Sequence, residues 1–297
     1  MRLLLTGAAG MLGRDVAASA RAAGHDVIAL ARADLDIVDA AAVRAALGDA
    51  RPDAVVNCAA WTDVDGAEAA EAQATAVNGA GAGHVAAAAA AVRAHLVHVS
   101  SDYVFSGAAS EPYVEDSPPG PLTAYGRSKL AGERAVAEAA PDAHAIVRSS
   151  WLFGPHGRNF VDTILRLGAA REEVTVVDDQ VGCQTYTGHL ARALVEIAER
   201  RLRGILHVAG AGACSWWELA RAAFQQAGVS CTVRRGSTAD LGRPAPRPVF
   251  SVLASTRAGA PLLPPWQEGL AAHLAARRGK GEAAGKAAPQ GWRRIPA

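Results

Sequence analysis

Gly7-Ala-Ala-Gly10-Met-Leu-Gly13 follows the predicted strand Arg2–Leu5 after a single residue, Thr6, and precedes an Ala-rich segment, and this stretch decides the fold class. A strand, a glycine-rich turn and a helix in that order are typical of the first unit of a dinucleotide-binding α/β fold. The glycines let the backbone approach a pyrophosphate at the N-terminus of the helix. Such a turn can also serve only to pack a strand against a helix, but its context favours the dinucleotide site. The residues expected to contact the dinucleotide are Gly7, Gly10, Met11, Leu12 and Gly13.

Short apolar runs alternate with longer Ala-rich segments, which is the pattern of β-α-β units that feed a parallel sheet. The apolar runs predict strands at Arg2–Leu5, Asp26–Leu30, Ala54–Cys58, Leu96–Ser100, Ala145–Arg148 and Ile205–Val208. The longer segments predict helices at Leu12–Ala23, Ala40–Leu47, Ala67–Ala91, Ala124–Ala139 and His189–Arg200. We therefore expect an α/β fold built on a doubly wound parallel Rossmann sheet.

The pattern becomes less regular after Ser150, which indicates a second, smaller lobe. Loops are expected at Gly154–Asn159 and Asp178–Thr185, and the Pro-rich segment that begins at Arg243 should be extended. The predicted division is a Rossmann domain at 1–150 to which 186–210 returns, a C-terminal substrate-binding lobe at 151–185 and 211–278, and a disordered tail at 279–297.

Composition excludes several classes of protein. Half of the 297 residues are apolar and 20% are charged, which is ordinary for a globular protein. Thirty basic residues balance 29 acidic ones, so binding to nucleic acid or to an anionic membrane is not expected. The four cysteines form no C-x-x-C pair, which fits a reducing compartment. There is no signal-peptide pattern and no run of about 20 apolar residues, so we expect a cytoplasmic protein without a membrane segment.

The end of the second predicted strand bears on the choice of cofactor. An NAD-specific site usually has Asp or Glu here to bind the ribose 2′-hydroxyl, whereas this chain has Arg32. A guanidinium could bind the 2′-phosphate of NADPH, although a solvated arginine on a turn is an alternative. The sequence favours NADPH and leaves NADH open.

Two later segments carry candidate catalytic residues. Ser101 lies at the end of the fourth predicted strand, and Tyr125 and Lys129 lie at the head of a predicted helix. Residues four apart share a helix face, so the ammonium group should favour the ionised phenol, whose pKa otherwise lies near 10. A Tyr and a Lys at this spacing are also common on helix surfaces. A glycine-rich loop, a Ser-Ser strand end and Y-x-x-x-K in this order are much more specific, and they favour a phenol that exchanges protons.

The combined pattern resembles the extended short-chain dehydrogenases and reductases, in which the glycine-rich loop has this G-x-x-G-x-x-G form. The phrase Val99–Gly107 is similar to the S-T-D-Y-V-F-x-G of one branch, the dTDP-4-dehydrorhamnose reductases. The similarity covers nearly everything before the tail. It continues through Pro121–Glu133, Arg148–Phe153, Asn159-Phe160, Asp179–Gly182 and Arg247-Pro248.

This resemblance implies the NAD(P)H-dependent reduction of the C4 keto group of dTDP-4-dehydro-β-L-rhamnose (dTDP-4-dehydro-6-deoxy-L-mannose) to dTDP-L-rhamnose, in dTDP-rhamnose biosynthesis. It implies that Tyr125 is the general acid towards the carbonyl oxygen, that Ser101 donates a hydrogen bond to that oxygen, and that Lys129 binds the nicotinamide ribose. Hydride transfer of this kind needs no metal, and no cluster in the sequence has metal-ligand spacing.

The resemblance also implies further cofactor contacts. Asp36 would accept a hydrogen bond from the adenine amino group and Ile37 would cover a face of the ring, although Asp36 could instead cap a helix. The phrase Asn57–Asp65 is similar to the family's N-A-A-A-x-T-x-V-D, whose small residues let the backbone run beside the cofactor. Core filling is the alternative for its alanines. The expected contacts from this phrase are Ala59, Ala60, Trp61 and Thr62.

At the substrate end, the resemblance implies that Ser101 and Asp102 touch the deoxysugar and that Trp151 lines its pocket. Trp151 could equally be a core residue, and Arg247 an ordinary surface arginine. The weaker candidates for substrate or diphosphate contacts are Asn159, Gln180 and Arg247. The chain departs from the family pattern at Ser101, where Thr is usual, and at Cys183–Thr185 and Phe250–Val252, near the expected nucleotide end.

Two other functions compete with reduction. The first is a nucleotide-sugar epimerase or dehydratase of the same superfamily, which would retain its nicotinamide through turnover. A dehydratase needs an acidic pair directly after the catalytic Ser or Thr, and here Tyr103 follows Asp102. The second is a non-catalytic role, since a relative of these reductases is a regulatory subunit of methionine adenosyltransferase that binds NADP. The intact Ser101, Tyr125 and Lys129 favour an enzyme. A homodimer is possible because dimers are common in the superfamily.

Overall fold

The computed structural model describes residues 1–286, with side chains described through residue 278. Its strands are β1 (Arg2–Thr6), β2 (Asp26–Leu30), β3 (Ala54–Asn57), β4 (His95–Ser101), β5 (His144–Ser149), β6 (Leu152–Phe153), β7 (Glu173–Val177), β8 (Val181–Gly182), β9 (Thr185–Tyr186), β10 (Gly204–His207), β11 (Cys214–Ser215) and β12 (Thr232–Gly236). Its α-helices are α1 (Met11–Ala22), α2 (Ala40–Ala50), α3 (Val64–Ala69), α4 (Glu71–Thr75), α5 (Ala82–Ala91), α6 (Ala124–Ala139), α7 (Phe160–Ala170), α8 (Thr187–Arg200), α9 (Trp216–Ala227) and α10 (Trp266–Lys286).

Six parallel strands form the central sheet in the order β2-β1-β3-β4-β5-β10. The prediction of a doubly wound parallel sheet is confirmed, and each of the six predicted strands is present to within two residues at either end. The direction of the strand order reverses between β1 and β3. In such sheets, ligands bind beyond the carboxyl ends of the strands at this point of reversal.

Helices cover both faces of the sheet, and this burial explains why the strands are apolar without alternation. Successive strand residues point to opposite faces. Leu3 and Leu5 therefore pack in one cluster with α1 and α8, whereas Leu4 packs in the other with α2 and α5. All three leucines are fully buried. This core fixes the glycine-rich turn that follows β1.

The single helix predicted at Ala67–Ala91 is wrong. The segment divides into α3, α4, a π-helical turn at Ala76–Gly81 and α5. Ala70 has a φ of −136°, outside the helical region, and it separates α3 from α4. In the π-helical turn, the Asn78 side chain bonds the backbone of Trp61 through both of its polar ends. Alanine periodicity contains no information about such a contact, so the sequence could not predict the break.

Within the described residues after β5, strand β10 joins the central sheet and the others form three two-stranded sheets, which pair β6 with β9, β7 with β12 and β8 with β11. The last two pairings involve strands from 173–182 and from 214–236. Helices α7, α9 and α10 share a core with β7 that includes Val161, Leu219 and Leu270. The predicted loop at Asp178–Thr185 therefore contains β8 and the start of β9. The division into domains stays a prediction.

Helix α10 continues to Lys286, so the prediction that the chain is disordered from 279 onward is wrong for 279–286. This stretch contains Ala, Glu and Lys, which favour helix. The rest of the predicted tail, 287–297, lies outside the described residues. Among the helices of the described chain, none combines the length and the apolar character needed to cross a bilayer.

Candidate active site

A cavity of about 590 Å³ lies at the carboxyl edge of the central sheet, where the strand order reverses. Residues from the glycine-rich loop, from the ends of β2 to β5 and from the segments after β5 line it together. The predicted site residues that line it are Gly7, Gly10, Met11, Leu12, Gly13, Arg32, Asp36, Ile37, Ala59, Ala60, Trp61, Thr62, Ser101, Asp102, Tyr125, Lys129, Trp151, Gln180 and Arg247.

The glycine-rich loop has a shape that only glycine permits. Gly7 has a φ of +67°, and a Cβ atom there would lie 2.6 Å from the backbone nitrogen of Ala59. A Cβ on Gly13 would lie 2.2 Å from the carbonyl oxygen of Gly7. Gly10 is the N-cap of α1 and provides no side-chain acceptor, so the first N–H groups of the helix are left for an anion. The loop therefore fits the pyrophosphate of a dinucleotide.

The adenine end of the cavity combines exposed polar groups with a buried apolar one. Arg32 and Asp36 are exposed, whereas Ile37 is buried. The Asp36 carboxylate accepts a hydrogen bond from the backbone nitrogen of Val38. The N-cap of α2 is Asp39, which accepts from two backbone N–H groups. The alternative that Asp36 caps a helix is therefore wrong.

Buried amides fix the segment after β3. The Asn57 Oδ1 atom accepts from the Thr6 hydroxyl at 2.6 Å and from the backbone nitrogen of Ala59 at 3.2 Å. Further along, the Asn78 Oδ1 atom accepts from the backbone nitrogen of Trp61 at 2.8 Å, and its Nδ2 donates to the hydroxyl of Ser128 on α6 at 2.9 Å. The cofactor side of the cavity is thus joined to the helix that carries Tyr125. Sequence reasoning missed Asn78, because its partners are distant in sequence.

Tyr125 and Lys129 lie on α6, whose N-cap is Thr123. Burial of the phenol raises the pKa of Tyr125 to about 12, although a hydrogen bond with Ser101 acts in the opposite direction. The predicted lowering of this pKa is therefore wrong, because desolvation outweighs any stabilisation of the phenolate. A neutral phenol is the form that can donate a proton.

Lys129 is 2% exposed, and its ammonium group donates to the carbonyl oxygen of Val99 at 2.7 Å. Burial lowers the pKa of Lys129 to about 8, and the nearby Glu133 carboxylate opposes this shift. An ammonium group has three donors, and one is used by Val99. Two donors of Lys129 remain for other partners in the cavity.

Asp102 follows Ser101 at the end of β4 and is 2% exposed. Its Oδ1 atom accepts from the Ser101 hydroxyl at 2.9 Å. Burial raises the pKa of this carboxyl to about 6. The Ser251 and Ser101 hydroxyls oppose this rise, so serine side chains position the Asp102 carboxyl where it lines the cavity.

Trp151 lines the cavity beside a second tryptophan that the sequence did not single out. The Trp216 indole stacks on Trp151 with centroids 3.8 Å apart and planes 9° apart. Gln180 accepts from the Trp216 indole nitrogen at 3.1 Å and donates to the Thr238 hydroxyl at 2.8 Å. Trp216 was missed because it comes from α9, far along the chain, and no local motif marks it.

Arg247 lines the cavity and is held there by an ion pair with Asp65. Its guanidinium donates to the Asp65 carboxylate at 2.9 Å, and Arg243 pairs with the same carboxylate at 3.1 Å. Asn159 does not line the cavity. Its side chain caps α7 and bonds the Gly154 carbonyl, so the structure does not bring it to the other site residues.

A buried ion pair lies behind the catalytic helix. The guanidinium of Arg148 on β5 donates twice to the Glu133 carboxylate on α6, at 2.7 and 2.9 Å, and the Ser100 hydroxyl donates to it at 2.6 Å. The side chains of Arg148 and Glu133 are 2% and 4% exposed. These contacts join α6 to the ends of β4 and β5. In the part of the chain with described side chains, no three His, Cys, Asp or Glu residues cluster as metal ligands.

A doubly wound sheet with a glycine-rich loop after β1, and with Ser101, Tyr125 and Lys129 beside the same cavity, defines the class of extended short-chain dehydrogenases and reductases. Comparison with known families narrows this class. The chain belongs to the family of the RmlD substrate binding domain, whose family model matches residues 1–278. The resemblance inferred from the motifs is confirmed.

Individual proteins that are similar to this chain include several dTDP-4-dehydrorhamnose reductases. A dTDP-4-dehydrorhamnose reductase from Streptomyces griseus is 48% identical over 262 residues, which cover 86% of each chain. The crystal structure of a dTDP-4-dehydrorhamnose reductase from Clostridium acetobutylicum matches with a TM-score of 0.91 and 37% identity, over 94% of this chain and all of that one. The Bacillus anthracis dTDP-4-dehydrorhamnose reductase in complex with NADP matches with a TM-score of 0.89 and 38% identity, over 92% and 98% of the two chains.

Proposed function

We propose that this protein catalyses the NADPH-dependent reduction of the C4 keto group of dTDP-4-dehydro-β-L-rhamnose to dTDP-L-rhamnose. The observation that carries the proposal is one cavity in which a pyrophosphate-binding loop leads to Ser101, Tyr125 and Lys129 and then to Trp151 and Arg247. The names of the relatives support the sugar substrate, and the NADP bound to the Bacillus anthracis relative supports the cofactor.

The reacting carbonyl oxygen would lie between the side chains of Ser101 and Tyr125. Bound NADPH supplies the hydride to C4 of the sugar. The Tyr125 phenol, which is neutral because its pKa is raised to about 12, donates its proton to the oxygen as that atom gains charge. The Ser101 hydroxyl donates a hydrogen bond to the same oxygen and stabilises its charge.

Lys129 would hold the cofactor close to the phenol. Its two remaining N–H donors suit the hydroxyls of a ribose, while the bond to the Val99 carbonyl fixes the ammonium group. The Asp102 carboxyl, which lines the cavity beside Ser101, would accept from a sugar hydroxyl. Arg247, fixed by Asp65, would face the diphosphate of the substrate, since a guanidinium suits phosphate recognition.

The direct test is oxidation of NADPH and of NADH with dTDP-4-dehydro-L-rhamnose, followed by the absorbance of the reduced nicotinamide. We expect one cofactor molecule to be oxidised for each sugar reduced, and the product to be released as dTDP-L-rhamnose. Measurable NADPH binding without any oxidation would overturn the proposal. The result would then favour an epimerase that retains its cofactor, or a regulatory subunit.

Loss of charge on Lys129 should limit the reaction at alkaline pH. Since burial lowers the pKa of Lys129 to about 8, the ammonium form is complete below that value and is lost as the pH rises through it. We expect kcat/KM for NADPH, which reports on the free enzyme, to fall above about pH 8. The alkaline fall should be absent from the residual activity of Lys129→Gln. A fall that persists unchanged in this variant would assign it to another group.

Arg32 should determine the preference for NADPH. A charge-assisted hydrogen bond to the 2′-phosphate predicts that Arg32→Ala raises KM for NADPH by roughly tenfold or more. KM for NADH should change little, since NADH has no such phosphate. Arg44→Ala removes an exposed arginine that does not line the cavity, and it should leave both constants unchanged. Equal effects of Arg32→Ala on the two cofactors would contradict this role.

The cytoplasmic location and the homodimer expected from the sequence stay predictions. The substrate contacts of Asn159 and Gln180 stay predictions as well, and the geometry gives them less support than it gives Trp151 or Arg247. The amide groups of both side chains already have protein partners.

A further inference from the structure

Trp151 has a backbone conformation that its surroundings must maintain. Its φ of +48° lies in the left-handed region, which residues other than glycine rarely adopt. Such a conformation persists only where neighbouring groups determine it. The side chain of Trp151 lies flat against Trp216, so Trp216 is one of the groups that hold it in place.

Trp216 is itself oriented by polar contacts at its edge. Its indole nitrogen donates to Gln180, whose amide donates in turn to Thr238. The Asp179 carboxylate accepts from the Thr238 hydroxyl at 2.6 Å. Because the N–H group has a partner within the protein, the indole is held by its edge. One face stacks on Trp151, and Phe160 also packs against the ring with centroids 4.6 Å apart. Gln180 thus has a clear role in placing Trp216.

The two indoles lie beside the groups that would act on the carbonyl. Ser149, two residues before Trp151, pairs in register with Ser101 on the neighbouring strand. Trp151 and Trp216 both line the cavity that contains Ser101 and Asp102. A flat apolar wall at this position suits the less polar face of a sugar ring whose carbonyl lies at Ser101.

We propose that Trp216 is a specificity-determining residue of the substrate site, which stacks on Trp151 to form the wall that receives the deoxysugar ring. This inference rests on the proposed function and adds a residue to it. Trp216 would contact the sugar and not the cofactor. It begins α9, whereas the expected cofactor contacts lie in the glycine-rich loop, after β3 and on α6. Its removal should therefore weaken sugar binding selectively.

The test compares Trp216→Ala, Trp216→Phe and Trp217→Ala. Trp217 is the matched control, because this neighbouring indole packs under Arg235 and donates to the carbonyl oxygen of Val233, outside the cavity lining. The readouts are KM and kcat for the sugar substrate, and the dissociation constants of dTDP-L-rhamnose, dTDP and NADPH by calorimetry. Circular dichroism checks that each variant is folded, and Trp216→Leu replaces Trp216→Ala if that variant does not fold.

We expect Trp216→Ala to raise KM and the dissociation constant of dTDP-L-rhamnose by about tenfold, as loss of an aromatic contact predicts. The dissociation constants of dTDP and NADPH should stay within about twofold, since neither ligand contains the rhamnose ring. Trp216→Phe should restore most of the affinity, and Trp217→Ala should have no effect on any constant.

Unchanged binding of dTDP-L-rhamnose to a folded Trp216→Ala protein would overturn the inference. Equal weakening of dTDP and dTDP-L-rhamnose would also overturn it, because the wall would then contact the nucleotide. If the unmodified protein binds neither dTDP-L-rhamnose nor its 4-keto precursor, the proposed function itself fails. If it binds them and Trp216→Ala binds them equally well, only the role of Trp216 fails.

Discussion

Tyr125→Phe should lower kcat by about 100- to 10,000-fold, the range that a positioned proton donor contributes. Phe retains the ring but removes the only group of this residue that can protonate the sugar oxygen. Because the pKa of Tyr125 is raised to about 12, the phenol is fully protonated at neutral pH, and the loss should be the same at every pH between 6 and about 9. Single-turnover oxidation of NADPH measures this step without interference from product release.

The dissociation constant of NADPH should change little in Tyr125→Phe, which separates loss of chemistry from loss of the site. Tyr113→Phe is the control. The Tyr113 hydroxyl is also hydrogen-bonded, accepting from the backbone nitrogen of Ala109, but this residue stacks on Phe105 outside the cavity lining. Full activity in Tyr125→Phe would exclude this residue as the proton donor and would require another acid in the cavity.

Arg148→Met should lower the free energy of unfolding by about 3–5 kcal/mol, the usual cost of breaking a buried ion pair. The variant leaves the Glu133 carboxylate 4% exposed and without the two hydrogen bonds that Arg148 donates. Among the residues with described side chains, the Ser100 hydroxyl would remain as a donor to it. Urea unfolding at neutral pH, with equal slopes for the two proteins, measures the difference.

The pair of Arg127 and Glu71 is a matched control for this prediction. It has the same 2.7 Å separation and also involves α6, but both of its side chains are 45% exposed. Arg127→Met should therefore cost no more than about 1 kcal/mol. The double variant Glu133→Leu/Arg148→Met should recover part of the loss, since it removes both charges of the pair. The recovery should be incomplete, because the Lys129 ammonium then loses the nearby Glu133 carboxylate. Equal costs at the buried and the exposed pair would contradict the argument from burial.

The parts of the molecule that local sequence determines were predicted well. The turn from Gly7 to Gly13 follows a buried strand and precedes a helix. Its position and its suitability for binding a pyrophosphate could therefore be inferred directly. The strands were also clear, because helices on both faces require nearly continuous apolar runs. Tyr125 and Lys129 share a helix face by spacing alone, and the cavity contains both.

The parts that depend on distant contacts were missed. Asn78 bonds a backbone segment 17 residues away, and Asp65 binds an arginine 182 residues away. No local period marks Asn78, and the motif phrase that ends at Asp65 does not identify the partner of that carboxylate. The direction of the pKa shift at Tyr125 was wrong for a similar reason, since the charge on Lys129 is visible in the sequence but the depth of burial is not. Asn159 matched the family motif, yet its side chain serves to begin a helix.

The position of β10 has a consequence for synthesis of the chain on the ribosome. This strand, Gly204–His207, pairs with the outer edge of β5, and the ribosome synthesises β5 some 60 residues before β10. Until β10 emerges, β5 is an edge strand with an apolar centre, Ala145–Val147, and with unpaired backbone groups, and such edges promote association between chains. The sheet that binds the dinucleotide is therefore complete only after two thirds of the protein has been translated. A truncation between these two strands would leave the first five strands present but their outer edge open.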